Sequence, residues 1–166
     1  MKILRIAFIA ALLIFPGVTV SQSSDEAEIR SQLVGIWRLA SWTKEYEDGS
    51  TQQDPRTASY SIYTDTGHMC WVAIDPNRPQ WKDDPTPGEE SEAYRGMGAY
   101  CATVEVNAAE GYVIHHVEIA KSPNAVGIER KRWFEFDGVN RLKLRVEPSE
   151  NLSPLVESRL VWERVN

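Results

Sequence analysis

The sequence predicts one all-β domain, an up-and-down antiparallel β-barrel of about eight strands with one short helix between the third and fourth strands. Two observations lead to this fold. From residue 35 onward, apolar and polar residues alternate in short runs separated by turn residues, a pattern typical of antiparallel strands with one wet face. About eight such runs follow one another, the number that closes a small barrel. The length of 166 residues suits a single domain.

Residues 1–22 are predicted to be a signal peptide. Lys2 and Arg5 precede an apolar run over residues 6–15, which ends in a Pro-Gly pair and small residues. A membrane helix needs about 20 apolar residues, so an uncleaved anchor is the less favoured alternative. No cysteine follows the run to carry a lipid. We therefore expect a mature domain over residues 23–166, exported to the periplasm or secreted, with no membrane span after leader cleavage.

The elements of the domain are predicted in chain order from the alternation and its interruptions. A helical turn or two is expected over residues 23–32. Residues 78–88 are rich in Pro and Gly and must form a loop, and helix formers after it predict the short helix over 89–98. The predicted strands are residues 36–46, 58–63, 68–74, 100–106, 112–120, 128–136, 141–146 and 158–165.

Alternation also assigns side chains to the two faces of the sheet. In strand 141–146, Leu142 and Leu144 face inward and the basic residues between them face water. In strand 128–136, Arg130 and Arg132 share a face with Phe134. The two arginines are therefore expected to look inward or toward a rim.

Cys70 and Cys101 are the two cysteines of the chain. Strand parity turns both outward on consecutive strands, which are neighbours in an up-and-down barrel. Cross-strand Cβ atoms lie about 4.5 to 5.5 Å apart, so a disulfide requires a close pair of residues. Such a bridge would persist in an oxidising compartment and tether the Pro-rich loop; the alternative is two unrelated thiols.

The charge balance argues against one class of partner. The formal net charge is −6, and removal of the leader with its two basic residues makes it more negative. Nucleic-acid binding requires clustered Lys and Arg, so no nucleic-acid partner is expected.

Short motifs run in order through nearly the whole mature chain. They are Leu33-Val34-Gly35-Ile36-Trp37, Tyr60-Ser61-Ile62-Tyr63-Thr64, Tyr94-Arg95-Gly96, His115-His116-Val117-Glu118, Phe134-Glu135-Phe136-Asp137-Gly138 and Leu160-Val161-Trp162-Glu163-Arg164. Their order and spacing resemble the bacterial and fungal lipocalin-like domain family. The resemblance implies a closed antiparallel barrel with an internal cavity and no single activity. Family members tend to have Trp after Pro-Asn where this chain has Ala125, which would leave that rim more open.

Trp37 and Arg164 are expected to have a structural role. The Gly-x-Trp at Gly35 resembles the start of lipocalin barrels, where the indole plugs the closed end and a late arginine covers it. A guanidinium over an aromatic face stabilises by about 0.5 to 2 kcal/mol. Arg164 is the natural partner of Trp37 here.

The function that this sequence favours is binding of a small, mostly apolar or amphipathic molecule inside the barrel, without metal or cofactor. His116 and Glu118 lie two residues apart, so both would point to one face, and Arg132 could oppose them. If that face is interior, they form a polar island in a ligand site; otherwise they form an outward salt-bridged cluster, and His115 faces in. Trp81, in the Pro-rich loop, is either a lid or a packing anchor. The ligand-binding candidates are Tyr60, Ile62, Trp71, Trp81, Tyr94, His116, Glu118, Arg132 and Phe134.

Two other function classes remain open. The first is an acid-base cyclase or isomerase in which His116 or Glu118 moves a proton on an enclosed polyketide-like or isoprenoid-like substrate. No arrangement for nucleophilic catalysis is recognisable, and adjacent histidines diverge too far to build a metal site. The second is an interaction protein with a filled barrel. The sequence predicts no oligomeric state.

Overall fold

The computed structural model describes residues 20–147 and 154–166. Most of the predicted signal peptide, residues 1–19, lies outside them. The elements are α1 Val20–Leu33, β1 Gly35–Tyr46, β2 Thr51–Gln53, β3 Ala58–Tyr63, β4 His68–Ile74, α2 Pro87–Arg95, β5 Met97–Asn107, β6 Tyr112–Ala120, a 3-10 turn Pro123–Ala125, β7 Glu129–Phe136, β8 Arg141–Val146 and β9 Leu155–Arg164.

The strands close into an antiparallel barrel. From β3 to β9 each strand pairs with the next, while β1 pairs with β3 on one side and with β9 on the other. The predicted fold class is confirmed. Strand β2 is the addition: three exposed polar residues that pair with the far end of β1. A polar tripeptide has no hydrophobic alternation, so this strand is not predictable from the residue pattern.

Helix α2 begins two residues earlier than predicted and ends three residues earlier. Thr86 caps it in a capping box with Glu89, and Pro87 occupies the first turn, where a missing N–H has no cost. The helix ends at Arg95 because β5 begins at Met97 and pairs with β4. Helix α2 lies between β4 and β5, the third and fourth predicted strands.

Helix α1 covers one end of the barrel, which we call the α1 end. The indole Nε1 of Trp37 donates to the carbonyl of Leu33, 2.8 Å away, and the Arg164 guanidinium lies 4.1 Å from the centre of the Trp37 ring. Arg164 also donates to the carbonyls of Gln32 and Val34. The Arg164 side chain, from the last strand, thus binds the Trp37 ring, the last turn of α1 and the residue that follows the helix.

Gly35 is required where it stands in this arrangement. Its φ is +135°, and an added Cβ would lie 2.6 Å from Nη1 of Arg164. Both the backbone conformation and the space exclude a side chain. Glycine is therefore required two residues before Trp37, because the Arg164 guanidinium that covers the Trp37 ring also lies against the backbone of residue 35.

The hydrophobic core fills the barrel from the α1 end. Trp37, Met69, Val113, Leu142 and Trp162 are almost completely buried. Leu142 and Leu144 face inward as predicted, and Lys143 between them is partly exposed.

Two β-bulges change which residues face inward. In β1 the register shifts between Leu39 and Ser41, and Trp42 packs against the core. In β6, Val117 pairs with Ala102 while Ile119 pairs with Cys101, so Glu118 is the extra residue. Before the bulge, the odd-numbered residues of β6 from Val113 to Val117 are buried. After the bulge, the odd-numbered Ile119 is 67% exposed.

Cys70 and Cys101 form a disulfide, which confirms the predicted bridge. The two residues are directly opposite each other on β4 and β5, with Cα atoms 4.1 Å apart. This is a close cross-strand pair on the outer face, as strand parity predicted.

Candidate ligand-binding site

The candidate site lies on the inner wall toward the other end of the barrel, which we call the α2 end because β4 leads there into α2. A row of rings crosses this wall, with neighbouring ring centres 5.4 to 6.0 Å apart. We call it the aromatic row; its members are Trp42, Trp71, Tyr100, His115 and Tyr63. Trp42 and Trp71 are only partly buried although they face inward. Solvent therefore reaches the inner wall at this end.

His115 holds two tyrosines together at the buried end of the row. Its Nε2 lies 3.1 Å from the Tyr63 hydroxyl and its Nδ1 2.9 Å from the Tyr100 hydroxyl. Burial, reinforced by the nearby charges of Arg132 and Arg130, lowers the pKa of His115 well below 6.5. The imidazole is therefore neutral, with one N–H and one lone pair. One tyrosine donates to the ring, and the other accepts from it and keeps its own proton for a further acceptor.

The buried neutral His115 predicts a pH-dependent stability. Its folded-state pKa lies below the unfolded value, so the unfolded chain binds one more proton as the pH falls below about 6.5. The free energy of unfolding should then fall as the pH is lowered below about 6.5, by up to about 1.4 kcal/mol per pH unit. Urea denaturation across this range measures it.

The neighbouring histidine supplies the control for this experiment. His115→Gln should lower stability at neutral pH and remove this part of the slope, whereas His116→Gln, on the outer wall, should keep it. A slope that survives in His115→Gln would show that another group titrates.

Arg130 and Arg132 follow the aromatic row on β7. Arg130 pairs in register with His115, and Arg132 with the buried Val113, so both side chains start from the inner face. The Arg132 guanidinium donates to the backbone carbonyl of Lys131, 2.8 Å away. The Arg130 guanidinium lies 5.4 Å from the centre of the Tyr100 ring. No carboxylate of the described chain lies within 4.0 Å of either guanidinium.

A second polar cluster lies at the far end of β1. The buried carboxylate of Asp54 binds Lys44 at 2.7 Å and Arg56 at 2.6 Å. The Arg56 guanidinium in turn lies 4.6 Å from the centre of the Trp42 ring. Arg56 also lies close to Gly98, where an added Cβ would be 2.6 Å from the Trp71 indole. The absence of a side chain at Gly98 leaves room for Trp71 in the row.

The structure separates the predicted ligand residues into two groups. Trp71, Arg132 and Phe134 start from the inner face. The others do not line the interior: Tyr60 and Ile62 alternate with buried serines on β3 and are 44% and 40% exposed. Tyr94 and Trp81, in α2 and the loop before it, are 49% and 46% exposed.

The interior position of His116 and Glu118 is corrected by the structure. His116 lies on the outer wall, where its ring nitrogens are 3.1 Å from Glu105 and 3.4 Å from Glu129. Glu118 is exposed at the bulge. Since Val113 and Val117 fill the core, the face that carries them is inward and His115 is inward with them.

Several residues of the candidate site were not among the predicted ligand residues. His115 was missed because strand 112–120 is ambiguous by alternation alone. Tyr63 and Tyr100 lie on strands 58–63 and 100–106, where alternation does not distinguish an aromatic ring of the core from one of a site. Trp42 faces inward only because of the bulge before it. Asp54 and Arg56 lie in an irregular segment between β2 and β3, where no periodic signal exists.

An apolar groove lies on the outer wall, over the disulfide. It has a volume of about 220 Å³ and includes Tyr60, Ile62, Val72 and Ile119 among its lining residues. Its lining also includes Trp71, Tyr100 and Ala120, which lie between the outward residues of these strands, so the groove is on the other side of the same stretch of sheet as the aromatic row. The groove is thus a separate surface that an experiment on ligand binding must distinguish from the interior.

The fold and the inner wall define a small β-barrel of the lipocalin-like class. Residues 34–165 match the family model described as a lipocalin-like domain, and the chain belongs to this family. No curated protein matches it. Among solved structures, a redesigned β-barrel is similar at 14% identity and a TM-score of 0.40, with 82% of this chain and 95% of that chain covered.

The described residues contain neither a candidate membrane-spanning helix nor a candidate metal-binding cluster. None of the helices there has the length and apolar composition to cross a membrane. No group of three or more His, Cys, Asp or Glu side chains in that part of the chain could hold a metal ion.

Proposed function

We propose that this protein binds a small amphipathic molecule with a largely apolar body inside the barrel, at the α2 end. The observation that carries the proposal is the aromatic row, whose outer members Trp42 and Trp71 face inward and yet remain partly exposed. Apolar walls with a few converging polar groups are the usual form of a small-molecule site. Here the polar groups are the tyrosine hydroxyls on His115 and the guanidinium of Arg130.

The acid-base alternative has less support in this geometry. It depended on His116 and Glu118, and both lie on the outer wall. A group that faces bulk water cannot move a proton on an enclosed substrate. Binding without turnover is therefore the function that we propose.

We also propose that the chain is exported. The basic and apolar pattern of residues 1–22 supports export, and so does the disulfide, because disulfides persist in oxidising compartments. Mass spectrometry of the protein recovered from the producing cell tests this directly. A mature chain that begins near residue 23 is expected; a full-length chain in the cytoplasm would contradict export.

Binding can be tested with N-phenyl-1-naphthylamine, a neutral apolar fluorophore. We expect saturable binding at one molecule per chain, with energy transfer from the tryptophans of the aromatic row. Two adjacent residues provide matched variants, because Ala120 pairs in register with the inward Tyr100 whereas Ile119 is outward. Ala120→Trp should weaken binding about tenfold or more by filling the site, and Ile119→Trp should leave it unchanged.

The opposite results would contradict the proposal in distinct ways. Loss of binding in Ile119→Trp alone would place the probe in the outer groove. No saturable binding to the wild-type chain would favour an interaction protein with a filled barrel. Circular dichroism of both variants checks that each retains the β-sheet fold.

A further inference from the structure

We infer that the bound molecule carries a carboxylate and that Arg130, supported by Arg132, is the cation that binds it. This inference rests on the proposed function and adds the chemical class of the ligand. The supporting observation is that two arginines of the inner wall lack an acidic partner among the described residues. Lys44 and Arg56 share the carboxylate of Asp54, whereas Arg130 and Arg132 start from the same inner face with no carboxylate of the described chain in ion-pair distance.

An unpaired guanidinium inside a barrel is costly unless something offsets the loss of water. The Tyr100 ring, 5.4 Å from the Arg130 guanidinium, provides part of this through a cation–π contact. The contact leaves the N–H groups of the guanidinium unused. Burial lowers the pKa of Arg130, but a guanidinium stays charged at neutral pH. Arg130 therefore presents a positive charge and free donors to the space in front of it.

The unsatisfied polar atoms on the inner wall are all donors. In the described chain, Nε of Arg130 and the indole Nε1 atoms of Trp42 and Trp162 are buried without a hydrogen-bond partner. When Tyr63 donates to the neutral His115, the Tyr100 hydroxyl keeps its proton for a further acceptor; Tyr63 has the Ser61 hydroxyl as a second hydrogen-bond partner. A wall with only donors to satisfy selects a ligand that brings acceptors.

A carboxylate fits this wall better than a neutral acceptor does. A guanidinium and a carboxylate match in a planar, two-bond arrangement, and their attraction strengthens where water is excluded. The remaining wall is aromatic, so the charge must be confined to one end of the ligand. The whole chain has a net charge of −6, so attraction of an anion must come from these local cations.

The test compares two molecules that differ only at the charged end, 1-naphthaleneacetate and 2-(1-naphthyl)ethanol, by isothermal titration calorimetry. The wild-type chain should bind the acid about ten- to hundredfold more tightly than the alcohol, as a charge-assisted hydrogen bond allows. Arg130→Met should remove this preference and leave the affinity for the alcohol within about twofold. Arg132→Met should reduce the preference in part.

Arg145→Met is the matched control, because Arg145 lies on the outer face of β8 and pairs with Glu147 at 2.7 Å. It should leave both affinities unchanged. Equal affinity of the wild-type chain for the acid and the alcohol would contradict the inference that the ligand carries a carboxylate, but not the proposal that the barrel binds a small molecule. A preference that survives in Arg130→Met would overturn the assignment of Arg130. If neither naphthalene compound nor the neutral fluorophore binds, the proposed function itself fails.

Discussion

Replacement of Cys70 and Cys101 by alanine is expected to lower the free energy of unfolding by about 3 to 4 kcal/mol. The disulfide joins residues 31 apart in the sequence and encloses the Pro-rich loop and α2. In the chain-entropy model a bridge of this span removes conformations from the unfolded chain, while the folded barrel keeps its β4–β5 pairing without it. Urea denaturation of the double variant and the wild-type chain, both without reductant, measures the difference.

Reduction of the wild-type chain supplies the control for the disulfide. In dithiothreitol its stability should fall to that of the double variant, and the double variant should not respond to the reductant. A difference below about 1 kcal/mol between the oxidised wild-type chain and the variant would show that the unfolded loop is already restricted.

Asp54→Ala is expected to destabilise the barrel by about 3 to 5 kcal/mol. The carboxylate of Asp54 is buried, and its removal leaves Lys44 and Arg56 facing each other without a counter-charge. Burial alone would raise the pKa of Asp54, but hydrogen bonds from Arg56 and Lys44 outweigh it and lower the pKa from 3.8 to about 2. The stability from this site is therefore present above about pH 4 and is lost as the pH falls toward 2.

Asp48 is the matched control for this substitution. It is an exposed carboxylate in the turn between β1 and β2, where it accepts from the backbone N–H of Ser50 at 2.9 Å. Asp48→Ala should lower the free energy of unfolding far less than Asp54→Ala does, because Asp48 is exposed and makes only a turn hydrogen bond. Equal losses in the two variants would mean that the ion cluster around Asp54 adds nothing beyond an ordinary turn contact. Thermal unfolding monitored by circular dichroism is sufficient to separate them.

The fold could be predicted because it follows from local patterns. Alternation in strands such as 141–146 determines which residues are buried, and consecutive antiparallel strands joined by short turns are neighbours. The same reasoning placed Cys70 and Cys101 on the outer face of neighbouring strands. Strand β2 could not be found in this way, since its polar residues become a strand only through pairing with β1.

The candidate site was less predictable because it depends on side-chain contacts between distant strands. Alternation in strand 112–120 allows either face of the strand to point inward. Only the packing of Val113 and Val117 against the core shows that His115, and not His116, faces the interior. Arg130 and Arg132 were placed correctly on the inner face because Phe134 shares it. Their lack of acidic partners, on which the ligand inference depends, is a property of the assembled barrel.

The bulge at Glu118 has a consequence for how β6 tolerates change. The bulge changes which residues of the strand point inward: odd-numbered residues up to Val117 point inward before it, and the even-numbered Ala120 points inward after it. Deletion of Glu118 would restore simple alternation with the same faces, since Ile119 would stay opposite the outward Cys101 and Ala120 opposite the inward Tyr100. Because Glu118 has no partner on β5, both its loss and its substitution would leave the lining of the barrel and its outer surface as they are.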